Sequence, residues 1–295
     1  MKIKTSVPER VFDVVNVTIV ILIMLACVYP IWYVLVGSLS SGPRAPRAYL
    51  WPINFTLFTY RQIFARRALG MSFFISVSRT VTGTFLCVFF TSMLAYLLTQ
   101  QKMLLRKVIY RYFLVTMYVS SGLIPWFITM QAYGLQNNFL LYIVPGTISV
   151  WNLILVKTFI ESLPASMEES AQLDGAGFFT CYIRIILPLI KPIIATITVF
   201  TAVSQWNTWY DNYLLVTNAN LQTLQLILYN FLNQAQAMAT QMKAAGSQGG
   251  AIVPTVTAQG VQNCMVIISI IPIMLVYPFA QKYFTTGIML GAVKG

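Results

Sequence analysis

The residues whose types suggest chemistry lie in a polar segment from Glu169 to Pro188, which reads E-S-A-Q-L-D-G-A-G-F-F-T-C-Y-I-R-I-I-L-P. It is an acidic, helix-forming island between two apolar runs that are each long enough to cross a bilayer. Charged side chains are costly inside lipid, so the segment should face water. We therefore expect it to bind a partner in the aqueous phase, and the nature of that partner decides the function.

The usual catalytic and metal-binding residues are scarce in this chain. Its 295 residues include no histidine, which removes the commonest general base and the commonest metal ligand. The four cysteines form no C-x-x-C pair, so we expect neither a disulfide framework nor a metal site. The G-x-x-x-x-G-K-[ST] phosphate loop is missing too. We therefore expect a chain that is not an enzyme, does not hydrolyse ATP and binds no cofactor itself.

Composition points to a membrane protein. The chain is 58% hydrophobic and 9% charged, whereas soluble domains carry roughly 25% charged residues. Its formal net charge of +12 comes from cations scattered between apolar runs, while a nucleic-acid-binding surface would cluster them on one soluble face. We therefore expect these cations to flank the membrane, with lipid rather than nucleic acid as their partner.

Six apolar runs predict transmembrane helices, since each span needs about 20 mostly apolar residues. The predicted spans are Val14–Val36, Val81–Leu98, Val108–Ile128, Phe139–Val156, Ile185–Val203 and Val261–Phe279. With the amino terminus inside, twelve of the 19 Lys and Arg residues lie on the cytoplasmic side and seven lie outside. The sequence thus predicts an all-α, polytopic membrane protein: one domain over residues 1–295, with six transmembrane helices and both termini cytoplasmic.

This topology places a loop of residues 161–184 in the cytoplasm. Ser166 and Glu169 have the S-x-x-E spacing of a capping box, which predicts the start of a short helix. Asp174 and Gly175 predict its end after about two turns, because glycine tolerates positive φ. The polar island is therefore expected to be a short helix at the membrane surface.

A longer loop of residues 206–260 is expected outside. It begins W-N-T-W-Y-D, where Trp206, Trp209 and Tyr210 are candidates for stacking on sugar faces and Asn207 and Asp211 for hydrogen bonding. The alternative is an interfacial aromatic belt, which looks the same in a sequence. Leu221, Leu224, Leu228 and Phe231 share one helical face, and the Gln/Ala/Gly-rich tract of residues 233–250 is expected to be an irregular loop.

The spacing E-x-A-x-x-D-G-A, eight residues, then I-x-L-P resembles the signature of inner-membrane permeases of binding-protein-dependent ABC importers. It is carried by Glu169, Ala171, Asp174, Gly175, Ala176, Ile185, Leu187 and Pro188. The motif usually reads E-A-A, so Ser170 departs from it at a small-residue position. The W-N-x-W-Y-D segment and the ending Y-P-F-A-Q-K-Y-F-T-T-G-I-M-L-G-A-V-K-G resemble the carbohydrate class of this family.

The resemblance implies a type I ABC importer permease fold in a bacterial inner membrane. In that family the cytoplasmic helix docks on a separate ATPase, which implies an ATPase-coupling site here and a second contact from the carboxy-terminal tail. The coupling residues would be Glu168, Glu169, Ser170, Ala171, Asp174, Gly175 and Ala176, and the tail residues Gly291, Val293 and Lys294. The implied partners are a second permease (a paralogue, giving a heterodimer), two ATP-binding subunits that use ATP and Mg, and an extracytoplasmic solute-binding protein.

The sequence says less about the transported solute than about the transporter. The resemblance implies an oligosaccharide moved by alternating access, with the residues Trp206, Asn207, Trp209, Tyr210 and Asp211 on its path or against the binding protein. Six arginines outside suggest an acidic oligosaccharide such as alginate fragments, because arginine binds carboxylates in a bidentate manner: Arg44, Arg47, Arg61, Arg66, Arg67 and Arg79. Anionic lipid head groups are the alternative ligand of these arginines. For the chain as a whole, the competing functions are a permease for a non-sugar solute, a channel and an intramembrane enzyme.

Overall fold

The computed structural model describes residues 7–41, 50–65, 67–244 and 258–292, and these residues contain helices and no strand. The all-α prediction is confirmed for this part of the chain. The α-helices are α1 Val7–Ser38, α2 Phe58–Phe64, α3 Arg67–Thr99, α4 Arg106–Tyr118, α5 Leu123–Ala132, α6 Val150–Glu161, α7 Ser166–Leu173, α8 Phe178–Cys181, α9 Leu187–Leu189, α10 Lys191–Asn207, α11 Tyr210–Leu215, α12 Leu224–Ala244 and α13 Ala258–Ala292. Short 3-10 turns precede α6 and α12, and a π-helical turn, Tyr182–Ile186, lies between α8 and α9.

The chain divides into two compact units, one built from residues 1–66 with 230–270 and the other from residues 67–229 with 271–295. In the first unit, the end of α1 packs closely against the start of α13. A Cβ atom on Gly37 would clash with Nδ2 of Asn263, so a larger residue at this position would require the Asn263 side chain to move. Beside it, the Ser38 hydroxyl lies 2.8 Å from the Tyr60 hydroxyl, and the Cys264 thiol lies 3.4 Å from the Ser38 carbonyl oxygen.

The core of the second unit forms where α6, α10 and the segment after α7 pack on α3. α3 is an unbroken helix of 33 residues. Its core cluster consists of large apolar side chains that are fully or almost fully buried, among them Tyr96, Leu153, Tyr182 and Ile197. Close packing of these side chains holds the carboxy-terminal end of α3 against its neighbours.

Three described helices are long and apolar enough to cross a membrane: Pro8–Ser38, Leu69–Thr99 and Gln259–Pro278. Two further spans are bent pairs, Phe139–Gly146 with Val150–Glu161 at 44° and Phe178–Leu189 with Lys191–Asn207 at 84°. The breaks fall at Pro145 with Gly146 and between Pro188 and Pro192, because proline removes a backbone donor and clashes with the preceding turn.

The third predicted span, Val108–Ile128, does not form one helix. It divides into α4 and α5, separated by residues 119–122, where Gly122 has φ +81° and Pro125 lies in the first turn of α5. Three helices therefore meet the length and apolarity criteria among the described residues, and the count rises to five if each bent pair is one span. The six-span count and the position of the termini remain predictions.

The prediction of an irregular loop over residues 233–250 was wrong for its first part, because α12 continues to Ala244. Gln, Ala and Met are good helix formers, and the glycines that would stop the helix begin only at Gly246. Residues 245–257 lie outside the described part of the chain.

Candidate functional site

The predicted cytoplasmic helix exists as α7, but its amino-terminal cap differs from the prediction. Ala165 already has helical dihedrals, φ −60° and ψ −29°, and its carbonyl accepts the Glu169 amide at 3.1 Å. Ser166 therefore lies inside the first turn and cannot cap it, since a capping residue must have non-helical dihedrals. Its carbonyl instead accepts the Ser170 hydroxyl at 2.8 Å. The predicted capping box is not formed.

The predicted end of the helix is confirmed. Gly175 has φ +85°, its amide donates to the Gln172 carbonyl at 3.1 Å, and the Ala176 amide donates to the Ala171 carbonyl at 2.9 Å. This pair of bonds is a Schellman motif, which requires a left-handed residue just after the helix. Asp174 and Gly175 thus set the direction in which the chain leaves α7.

Two of the predicted coupling residues on α7 face inward. The Glu168 carboxylate oxygen Oε1 accepts bonds from the Tyr96 hydroxyl at 2.7 Å, from Gln100 Nε2 at 2.8 Å and from Gln172 Nε2 at 3.1 Å. Ala171, which was expected to admit a partner, is half-buried against this chain's own core. Its small side chain therefore serves close packing within the molecule. Ala176, just beyond α7, packs on the same core.

The opposite face of α7 is exposed. It carries Glu169 and Ser170, with Asp174 just after the helix, and two apolar side chains beside them. Met167 is exposed, and Leu173 is 89% exposed. Apolar side chains next to carboxylates on a water-facing helix are typical of a surface that another protein covers.

Further towards the amino-terminal half of α3, Arg79 forms a buried ion pair with Asp211. Arg79 Nη2 lies 2.6 Å from Asp211 Oδ2 and Nη1 lies 3.0 Å from Oδ1, with the two residues 3% and 5% exposed. Arg79 Nε also donates to Gln205 Oε1 at 3.1 Å, and Nη1 donates to the Thr208 carbonyl at 3.2 Å.

This ion pair corrects two predictions made from sequence. Arg79 lies inside α3 and is not an external arginine that can attract an acidic sugar. Asp211 is likewise occupied by Arg79, so its carboxylate is not available for sugar hydroxyls. Of the other arginines, Arg61 is exposed, Arg44, Arg47 and Arg66 lie outside the described residues, and the side chain of Arg67 is not described.

The remaining residues of the W-N-T-W-Y-D segment divide between core and surface. Trp206 is 6% exposed and closes an apolar cavity of about 210 Å³ between α3, α10 and α13. Trp209 is half-buried and stacks on Tyr229 with ring centroids 4.0 Å apart. Asn207 and Tyr210 are exposed. Burial, and secondarily the Asp211 carboxylate, raise the pKa of the Tyr210 hydroxyl, so it remains a neutral hydrogen-bonding group.

A polar cavity of about 420 Å³ lies between α3, the break before α6, and α10. Its lining residues are Cys87, Gly146, Ile148, Ser149, Trp151, Asn152, Phe200, Thr201, Ser204 and Gln205. Asn152 Nδ2 donates to the Thr201 hydroxyl at 3.0 Å across it. Sequence reasoning missed this cavity. The signal was present as hydroxyl and amide residues next to a proline break inside apolar spans, where polar backbone is tolerated only beside water or protein.

The structure describes only part of the predicted carboxy-terminal contact. Gly291 lies in the last turn of α13, and Val293 and Lys294 lie outside the described residues.

Comparison with known proteins identifies the family. Residues 88–290 match the family described as binding-protein-dependent transport system inner membrane component. This chain belongs to that family. Members of the family are membrane permease components rather than enzymes themselves, so this permease is a membrane protein, as its composition predicted.

Two curated relatives resemble this permease over almost their whole length. The polygalacturonan/rhamnogalacturonan transport system permease protein YtcP of Bacillus subtilis (strain 168) is 33% identical, over 97% of this chain and 99% of the relative. The melibiose/raffinose/stachyose import permease protein MelC of the same organism is 25% identical, over 92% of this chain and 94% of the relative.

A solved structure resembles this permease in fold. It is the crystal structure of a bacterial ABC transporter involved in the import of the acidic polysaccharide alginate. The TM-score is 0.84 at 28% identity, with 96% of this chain and 100% of that chain covered. The expected permease fold is therefore confirmed.

Proposed function

We propose that this chain is one permease subunit of an ATP-driven importer, which moves an oligosaccharide from a solute-binding protein into the cytoplasm by alternating access. The observation that carries the proposal is the placement of two features along one helix. α3 borders a polar cavity at Cys87 and holds the water-facing helix α7 near its end at Tyr96. A permease needs both a polar path through apolar spans and a lever by which an external energy source reaches that path.

The energy source we propose is a pair of separate ATP-binding subunits that hold ATP and Mg. The exposed face of α7 supports this, because Met167, Leu173 and Glu169 offer apolar contacts and a charge for a partner cleft. On this proposal Glu169 contacts the ATPase, and the tail at Gly291, Val293 and Lys294 makes a second contact.

The polar cavity is the proposed sugar path within this chain. Ser149 and Ser204 offer hydroxyl groups that suit sugar hydroxyls, and Trp151 offers an exposed ring for stacking. Its lining includes no charged side chain, so a passing solute leaves no unpaired buried charge behind. The exposed Asn207 and Tyr210, with half-buried Trp209, are the proposed contacts to the binding protein.

An acidic oligosaccharide is the proposed solute class. YtcP is named for polygalacturonan and rhamnogalacturonan, and the structural relative imports alginate; all three polymers contain uronic acids. MelC, named for melibiose, raffinose and stachyose, supports the neutral alternative. The lining of the cavity carries hydroxyl groups and no charge, so the acidic class rests on the relatives and not on the cavity.

The second permease is proposed to be a paralogue. Every residue of the most apolar stretch of α1 is exposed. Such a helix is solvated by lipid or covered by another membrane subunit, which is consistent with a heterodimer.

The test of this proposal is purification through a tag on this chain, followed by identification of the partners and ATPase assays. We expect a second permease, an ATPase and stimulation by binding protein loaded with oligogalacturonides or alginate oligomers. If binding protein loaded with raffinose stimulates the ATPase activity instead, the acidic solute class is contradicted and the proposal of an importer stands. Absence of any ATPase from a well-behaved preparation would contradict the importer itself.

A further inference from the structure

Polar side chains lie at the carboxy-terminal end of α3 and directly after it. Ser92 and Tyr96 are one turn apart on α3, and Gln100 is the first residue beyond its last residue, Thr99. All three bond to the segment that contains α7. Tyr96 and Gln100 donate to Glu168 at 2.7 and 2.8 Å, and the Ser92 hydroxyl lies 2.7 Å from the Tyr182 hydroxyl in the π-helical turn.

The Glu168 contact is enclosed and directional. Tyr96 is 1% exposed, and its ring stacks on Tyr182 with centroids 5.6 Å apart. Gln172, one turn after Glu168 on α7, donates to the same carboxylate oxygen at 3.1 Å and so fixes its orientation. A hydrogen bond to a carboxylate is short, angle-dependent and stronger than one between neutral groups, so it fixes the position of α7 against α3.

The other described contacts of α7 and its exit turn with the core are apolar. Ala171, and Ala176 just beyond the helix, pack on the core through a methyl group each. Glu169 lies on the exposed face and turns away from α3. Of the two adjacent carboxylates, one is therefore available to an outside partner and the other holds α7 to this chain.

α3 continues without a break from this contact past the polar cavity, where Cys87 lies on its surface, to Arg79 in the buried ion pair. α3 is therefore one continuous element between the partners of Glu168 and the polar cavity.

We propose that the Glu168 carboxylate, with Tyr96 on α3 and Gln100 just after α3 as its partners, is the joint through which displacement of α7 reaches the polar cavity. Glu168 is a positioning residue in this role, distinct from a residue that touches the ATPase or the solute. The inference rests on the proposed function, because the displacement comes from the ATPase partner.

The experiment uses the whole complex in lipid nanodiscs, with a cysteine reporter in the cavity. Ser204 is exposed and lines the cavity, so Ser204→Cys is introduced together with Cys27→Ser, which removes the exposed native thiol. Cys87→Ser is added as well, because the Cys87 thiol lines the same cavity. The rate of modification by a charged methanethiosulfonate reagent is measured without nucleotide and after trapping with ATP and vanadate. In the reporter complex we expect the two rates to differ by at least about fivefold, the lower end of ordinary coupling between sites.

Glu168→Ala should abolish this response of the reporter while ATP hydrolysis continues. Glu168→Gln keeps one acceptor oxygen, so this variant should retain part of the reporter's response. Tyr96→Phe removes the hydroxyl donor and keeps the ring, so it should weaken the response, and adding it to Glu168→Ala should have no further effect. The matched control is Glu161→Gln, which breaks an exposed ion pair to Lys157 at the end of α6 and should leave the response intact.

A full response to nucleotide in Glu168→Ala would overturn the joint and leave the importer standing. If Glu168→Ala does not assemble, Tyr96→Phe decides, and an unchanged response in that variant overturns the joint. No response in the reporter complex itself would contradict the proposed function, and the joint with it.

Discussion

At the scale of single residues, the buried ion pair between Arg79 and Asp211 organises the segment that begins at Trp206. It is supported by Gln205 and by the Thr208 carbonyl, and the Arg79 guanidinium lies over the Tyr142 ring at 4.7 Å from its centroid. A buried pair of this kind contributes little net stability compared with apolar residues, but the loss of one partner is costly.

Asp211→Asn should therefore destabilise the complex strongly. The variant keeps the shape of the side chain and leaves the Arg79 charge buried without a counter-charge, which costs about 3–5 kcal/mol. The measurement is the temperature at which the purified complex loses its monodisperse elution peak. The double variant Arg79→Gln with Asp211→Asn removes both charges and should recover much of the loss. Unchanged thermal stability of Asp211→Asn would contradict the observed pairing.

Glu169→Lys should uncouple ATP hydrolysis from uptake, because it reverses a charge on the exposed face of α7. We expect uptake per ATP hydrolysed to fall by about tenfold, within the range of ordinary coupling free energies. The measurement is the ratio of the two rates in reconstituted complex, with Glu161→Gln as the control. Unchanged transport by a well-expressed Glu169→Lys variant would refute the assignment of Glu169 to the ATPase contact.

Sequence reasoning identified these residues but not all of their partners. The motif spacing predicted the position and the end of α7 because helix-ending chemistry is local. The pairing of Arg79 with Asp211 joins residues 132 positions apart, and nothing in the local sequence indicates it. Glu168 and Glu169 are neighbours of the same type, and only packing against α3 distinguishes the inward carboxylate from the outward one.

At the scale of elements, the turn at Gly175 determines how α7 connects to the next span. Gly175→Ala forces an L side chain into the left-handed region, which costs roughly 1–2 kcal/mol. No atom lies within 4 Å of the added Cβ, so the cost is conformational and not steric.

We expect hydrogen exchange at the backbone amides of residues 175 and 176 to become about fivefold to thirtyfold faster in Gly175→Ala. This range corresponds to a conformational cost of roughly 1–2 kcal/mol. Gly177→Ala is the matched control. Gly177 also has open space at its Cβ but has φ −73°, so that variant should exchange like the parent protein. Equal exchange in both variants would contradict the Schellman motif at the end of α7.

The break before α6 is the second informative element, because it opens the polar cavity. Ser204→Trp should fill much of this cavity and lower uptake by at least about tenfold, a loss comparable to misplacing a bound substrate. Phe85→Trp, on an exposed position of α3, is the control and should transport normally. Normal uptake by Ser204→Trp would exclude the cavity from the solute path.

The sequence predicted the proline break but not the cavity, because a cavity depends on how α3, α6 and α10 pack.

At the scale of the whole molecule, the composition and the signature motif were sufficient to predict a membrane permease. Family membership over residues 88–290 and the structural likeness at a TM-score of 0.84 confirm that prediction. The number of spans was harder to predict, because hydropathy treats Val108–Ile128 as one apolar run while Gly122 and Pro125 divide its backbone. The class of solute was harder still to predict, because Arg79, which the sequence placed outside the membrane, lies buried inside α3.

The central claim is that this permease imports an oligosaccharide at the expense of ATP. The most direct measurement is uptake of labelled oligogalacturonide into proteoliposomes that contain this chain with its co-purified permease and ATPase, with binding protein outside and ATP inside. We predict accumulation that requires both ATP and the binding protein. Entry of the sugar without ATP, or no entry of any oligosaccharide into vesicles whose ATPase is active, would contradict the account.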